Sequence, residues 1–144
     1  MSDANKEVVR KIEDAWNHNR LDELDPHFAP EFTNAEAAVP GVPPGLPGAK
    51  MAHQMIMGSF PDRKVEIVDM TAEGDKVYVR TMVHGSNKGG AAWIGAPKAD
   101  GKPFHISAWS VYTLKNGKVV KHSGINDGYS LAIQLGAIQP PSMG

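Results

Sequence analysis

"KVEIVDMTAEGDKVYVRTMV", Lys64 to Val83, decides the fold. Two runs rich in β-branched residues flank Glu73-Gly74-Asp75, a turn sequence, so the stretch reads as a β-hairpin. In its second arm, side chains alternate between faces. Val77, Val79, Thr81 and Val83 share one face, and Tyr78, Arg80, Met82 and His84 share the other. A second hairpin follows, "PFHISAWSVYTLKNGKVVKHSGIND" from Pro103 to Asp127, turning at Asn116-Gly117.

Before these strands the period is helical. Val8, Val9, Ile12 and Trp16 lie among Lys, Arg, Glu and Asp, which predicts an amphipathic helix over roughly Asn5 to Asn19. "LDELDPHFAPEF" reads as a short second helix interrupted by Pro26 and Pro30. "AAVPGVPPGLPGAK", residues 37–50, is too rich in proline and glycine for regular structure and predicts a loop at the rim of a site. Met51, Met55, Ile56 and Phe60 mark a further helix stopped by Pro61. "GSNKGGAAWIGAPKADGK" is a loop with a possible strand edge at Ala91 to Ile94, and "YSLAIQLGAIQPP" a short terminal helix or loop. Helices first and antiparallel strands afterwards give an α+β domain, a single unit over residues 1–144, with helices on one face of a bent sheet.

Composition narrows the function. The chain has no cysteine, which excludes disulfide and thiol chemistry, and its formal net charge is -1, without a basic block to attract nucleic acid or an anionic membrane. It has no apolar run long enough to span a bilayer, and its polar start is unlike a secretory signal. A cytoplasmic location is the expectation. The six histidines are scattered without ligand spacing, so no metal site is expected.

Several of these stretches together resemble the SnoaL-like polyketide cyclase family, within the nuclear-transport-factor-2-like or ketosteroid-isomerase-like fold. The carrying residues are "SFPDRKVEIVDMTAEGDKVYVR", "LKNGKVVKH", the closing "QLGAI", Asn34 after Phe32-Thr33, and "GLPG" leading into a helix. The resemblance implies a cone: a strongly bent sheet wrapped around about three N-terminal helices, with a pocket open at one end for a small hydrophobic molecule. It also implies a homodimer through the sheet, cofactor-independent acid/base chemistry, and intramolecular aldol-type ring closure. The chain departs from the family pattern where Lys121-His122-Ser123 replaces "EHW", where Ala35 replaces a histidine, and where Asn87 replaces the histidine of "GTHxG". Such departures leave open a protein that only binds its ligand, or a rebuilt pocket on this scaffold.

Candidate catalytic residues are Asp127, His122 and His105. Asp127 matches the tail aspartate of the family and closes the last strand. Burial would raise its pKa and make it a base; alternatively, Asp127-Gly128 is a turn and the carboxylate caps the next helix. His122 and His105 are on neighbouring strands, and either imidazole could assist near neutral pH. Asn34 could orient a carbonyl oxygen. Trp16, Phe60 and Trp109 are expected to be at least half buried, two of the three bordering the cavity, and Ser123, in place of a large aromatic, would give extra room there if its side chain faces the pocket. A Ser123-His122-Asp127 triad is disfavoured, because neighbours on a strand point to opposite faces.

Overall fold

The first helix shows how the sequence sets an element and its end. In the computed structural model, which describes residues 2–34 and 41–142, helix α1 spans Ser2–Asn17. Val9, Ile12 and Ala15 form its fully buried stripe. Asn19 takes the left-handed conformation, φ 56°, while Arg20 N–H bonds the Ala15 carbonyl and Asn19 N–H that of Trp16. This is a Schellman cap with asparagine in the position glycine usually takes.

Two 3-10 turns, Leu21–Glu23 and Asp25–His27, lead into strand β1, Phe28–Asn34. The helix expected over this stretch is therefore not formed. Phe28 and Phe32 have helical spacing, but residues four apart also share one face of a strand, and both are buried from β1. Pro30 is tolerated because β1 lies at the sheet edge.

Helix α2 spans Gly45–Ser59, so the expected loop is helical from Gly45 onward. Pro47 is in the first turn, where amide hydrogens lack intrahelical partners in any case. Residues 37–40 of that predicted loop, with Ala35, lie outside the described residues.

The predicted hairpins are present as β2, Lys64–Glu73, with β3, Lys76–Ser86, and β4, Pro103–Lys115, with β5, Lys118–Asn126. The sheet order is β1-β5-β4-β3-β2. All neighbours are antiparallel except β1 and β5, which run parallel, so the sheet is mixed. Between Ser86 and Pro103 the expected strand edge is reduced to a bridge from Ala91 to Ala96, with a 3-10 turn at Ala92–Ile94. Asn87, fully buried, organises this loop. Its amide donates to the Ala96 and Lys98 carbonyls, and its Oδ1 accepts from Gly90 N–H. Helix α3, Gly128–Gln134, follows β5; the third helix is thus C-terminal rather than N-terminal.

The hairpin faces fall as the alternation predicts. Val77, Val79, Thr81 and Val83 are buried, and Tyr78 is 49 % exposed on the reverse. Two apolar clusters fill the inner side. One joins α1 to β1 and the near ends of β3, β4 and β5. The other gathers Phe60, Val83, Phe104, Ile106, Leu131 and Leu135. A mostly apolar cavity with one polar side draws its walls from both.

Two bulges bend the sheet and reset which residues face inward. In β2 the pairing passes from Ile67 opposite Thr81 to Asp69 opposite Arg80, leaving Val68 over. In β5 it passes from Val119 opposite Leu114 to Lys121 opposite Thr113, leaving Val120 over.

Candidate active site

The β5 bulge builds the site. Strict alternation would put Val120 and His122 on one face. With Val120 extruded, His122 instead shares the inner face of Val119 and stands opposite Tyr112, whose ring lies 4.8 Å away. The inner cavity, about 210 Å³, is lined on its polar side by Glu13, Asn34, His53, Arg63, Ser110 and His122, and on its apolar side by residues including Trp16, Phe28, Phe32, Ile56 and Val83.

Among the described residues, two short bonds hold His122. Nδ1 lies 2.8 Å from Asn34 Oδ1 and Nε2 lies 3.1 Å from Ser110 Oγ. An amide oxygen only accepts, so Nδ1 carries a proton toward Asn34, and in the neutral ring Nε2 presents its lone pair to the Ser110 hydroxyl. Parallel pairing of β1 with β5 places Asn34 beside His122. This arrangement fixes a tautomer with a basic nitrogen on the cavity side.

Glu13 reaches the same ring system from α1. The Tyr112 hydroxyl donates to its Oε1 at 3.2 Å. Burial raises the Glu13 pKa above the usual carboxylate range, although the Tyr112 bond and the nearby Arg63 charge pull it down. Burial, then the Glu13 charge and the hydrogen bond to Glu13, push the Tyr112 hydroxyl well up. Burial also lowers Arg63 from its ordinary value. His53 donates from Nε2 to Asn19 Oδ1 at 3.1 Å and packs 4.9 Å from Trp16. Burial, followed by the Arg63 charge, brings its pKa to about 4, so it is neutral at physiological pH.

The other candidates lie elsewhere. Asp127 is absent from the cavity wall and caps α3, accepting from Ser130 N–H at 3.1 Å. Hydrogen bonding to Ser130 holds its carboxyl below the usual range, contrary to the expected upward shift. His105 is exposed on the outer face opposite His84, with the two rings 6.0 Å apart. Ser123 pairs with Val111 on the outer face, and it is Gly124 that faces inward opposite Ser110. Among the three aromatics only Trp16 borders the inner cavity. Phe60 is buried in the second apolar cluster, and Trp109 is 47 % exposed beneath the Arg80 guanidinium, 5.8 Å from its ring centre. A wider hollow of about 490 Å³ runs across that outer face, but the convergent hydrogen-bonding groups are in the inner one.

Sequence reasoning missed Glu13, Tyr112, Ser110, His53 and Arg63. Glu13 left a signal: with Val9 and Trp16 it follows i, i+4, i+7 spacing, which puts a carboxylate on the buried stripe. Among the described residues no group of three His, Cys, Asp or Glu could hold a metal ion.

Residues 6–135 match the SnoaL-like polyketide cyclase family. The fold is that of several solved structures. TsrD from Streptomyces laurentii is 24 % identical with a TM-score of 0.81, covering 94 % of this chain and 96 % of its own. AclR, a candidate hydroxylase from Streptomyces galilaeus, is 19 % identical with a TM-score of 0.82, covering 99 % and 87 %. IdmH, a candidate polyketide cyclase from Streptomyces antibioticus, is 24 % identical with a TM-score of 0.78, covering 92 % and 98 %. No curated protein sequence matches. The chain belongs to the SnoaL-like polyketide cyclase family.

Proposed function

We propose that this member of the SnoaL-like family catalyses cofactor-independent proton transfer on a small, largely apolar carbonyl compound, in the direction of intramolecular aldol ring closure. The observation that carries the reading is the oriented imidazole of His122 in a mostly apolar cavity, with the Glu13–Tyr112 pair on the far side of the same tyrosine.

In this reading, His122 Nε2 exchanges its Ser110 bond for the substrate and takes a proton from the carbon next to a carbonyl. The resulting enolate carbon bonds to a second carbonyl carbon of the same molecule. The oxygen left negative takes a proton from Glu13, whose raised pKa suits it to act as an acid. His122 then loses its proton to solvent, and Glu13 regains one. Atoms and charge balance without an added redox partner. Asn34 keeps the imidazole in register. Positioning and exclusion of water supply much of the acceleration. Asp127 serves α3 rather than the reaction.

The test uses a small aryl ketone in deuterated water. The protein should accelerate deuterium exchange at the carbon next to the carbonyl, and His122→Ala should lower that rate by about 10²- to 10⁴-fold with the fold retained. Binding without exchange in the wild-type protein would favour a purely ligand-binding role.

We place the protein in the cytoplasm as a homodimer whose ligand is a small apolar molecule rather than nucleic acid or a membrane. No helix among the described residues is long and apolar enough to cross a bilayer. The outer sheet face exposes Tyr78, Trp109 and Ile125, the last at 73 %, and supports a sheet-to-sheet contact. Light scattering should give twice the monomer mass, and Ile125→Glu should reduce it to one.

A further inference from the structure

Arg63 is the group in the cavity that the proposed reaction leaves unused. It stands just before β2 and lines the same cavity as Glu13 and His53. Arg63 is half-buried, and among the described residues its guanidinium has neither a hydrogen-bond partner nor an ion pair. Glu13 acts on it only as a nearby charge, and the Glu13 carboxylate already accepts the Tyr112 hydroxyl. No fully enclosed side-chain nitrogen or oxygen among the described residues lacks a partner, so the unused Arg63 donors are not sealed off, and the residue that carries them lines the cavity. A guanidinium carries five N–H donors and keeps its charge at any physiological pH. Removing such a charge from water without a partner is costly, and buried charges are paired as a rule.

We propose that Arg63 is a specificity residue that receives a carboxylate of the ligand, so that the natural ligand is an apolar carbonyl compound bearing a free acid. The planar fork of arginine fits a carboxylate through two parallel hydrogen bonds. The remaining walls, Trp16, Phe28, Phe32, Ile56 and Val83, take the apolar body. Engineered apolar cavities of about 150 Å³ hold benzene; at about 210 Å³ this one suits one ring with a short acid-bearing arm. His53, neutral at physiological pH, adds no competing charge.

This deepens the pocket reading, but its test uses an unreactive ligand, so its failure is distinguishable from a failure of proton transfer. Binding of 3-phenylpropanoate and of the isosteric 3-phenylpropanamide is measured by calorimetry on the wild-type protein, on Arg63→Gln and on Arg63→Lys. The acid should bind the wild-type protein about tenfold or more tightly than the amide. Arg63→Gln should abolish that preference while leaving amide affinity unchanged, and Arg63→Lys should restore part of it. Ligand-to-protein NMR contacts should reach Trp16 and not Trp109. Equal affinity for acid and amide in the wild-type protein, binding of neither, or an acid preference that survives Arg63→Gln would each overturn the assignment. The wild-type comparison stands even if a variant does not fold.

Discussion

His122 and Asp127 are five residues apart at the end of the same chain segment, yet they occupy different chemical worlds. His122 faces inward, held between Asn34 and Ser110 against Tyr112. Asp127 lies past the last pair of the strand, with its carboxylate on the first turn of α3. One bulged residue, Val120, accounts for much of the difference, because it turns His122 and Gly124 inward and Ser123 and Ile125 outward. A polar residue near a strand end thus takes its role from the ladder's local count rather than from its position in a motif.

The comparison can be broken at Gly124. A Cβ there would stand 3.0 Å from His122 Cε1, 3.1 Å from Ser110 Oγ and 3.3 Å from the Trp109 carbonyl. The backbone contact cannot yield easily, so His122 and Ser110 must move apart. Gly124→Ala should lower exchange by about ten- to a hundredfold through misplacement of the imidazole. Ser123→Trp, one residue away on the outer face, should leave exchange unchanged. If the two variants behave alike, the inward and outward assignments are wrong.

A subtler effect concerns pH and stability. The His53 pKa is lowered in the fold from 6.5 to about 4. Between those values the unfolded chain binds more protons than the folded one, so stability is fully present above pH 6.5 and is lost as pH falls toward 4. His53→Gln should flatten that part of the Tm profile. Glu13 acts in the opposite sense: its raised pKa makes stability fall as pH rises from about 4.5. In Glu13→Gln that loss should disappear. Tm measured across pH 4 to 8 for both variants separates the two groups.

The smallest effect belongs to the cap. Asp127→Asn retains an oxygen that can accept from Ser130 N–H, so Tm should drop only slightly, and the drop should vanish at low pH where the aspartate is itself protonated.

The hairpin faces were legible because burial of one sheet face imposes a strict period of two from Val77 to Val83. Helix α1 was legible for the same reason at its own period, with Glu13 showing as a charge on the apolar stripe. Asn34 was readable as a candidate and stands in the cavity wall. The bulge was not legible, since "KVVKH" reads as an ordinary alternation and the extra residue is set by pairing with β4 and β1. The same bulge turns Ser123 outward, whereas Trp109 is on the outer face by plain alternation with the inward Ala108 and Ser110. Phe28 and Phe32 misled through helical spacing inside a strand, and Pro47 misled because proline in a first turn looks, locally, like proline in a loop. Arg63 could not be found from its neighbours, because its burial is created by elements far away in the chain.

The most direct measurement sets His122→Ala beside Asp127→Asn in the same deuterium-exchange assay, with both variants checked for native fold. The account predicts that the first loses about 10²- to 10⁴-fold in rate and the second keeps the wild-type rate. A large loss in Asp127→Asn with full activity in His122→Ala would contradict it.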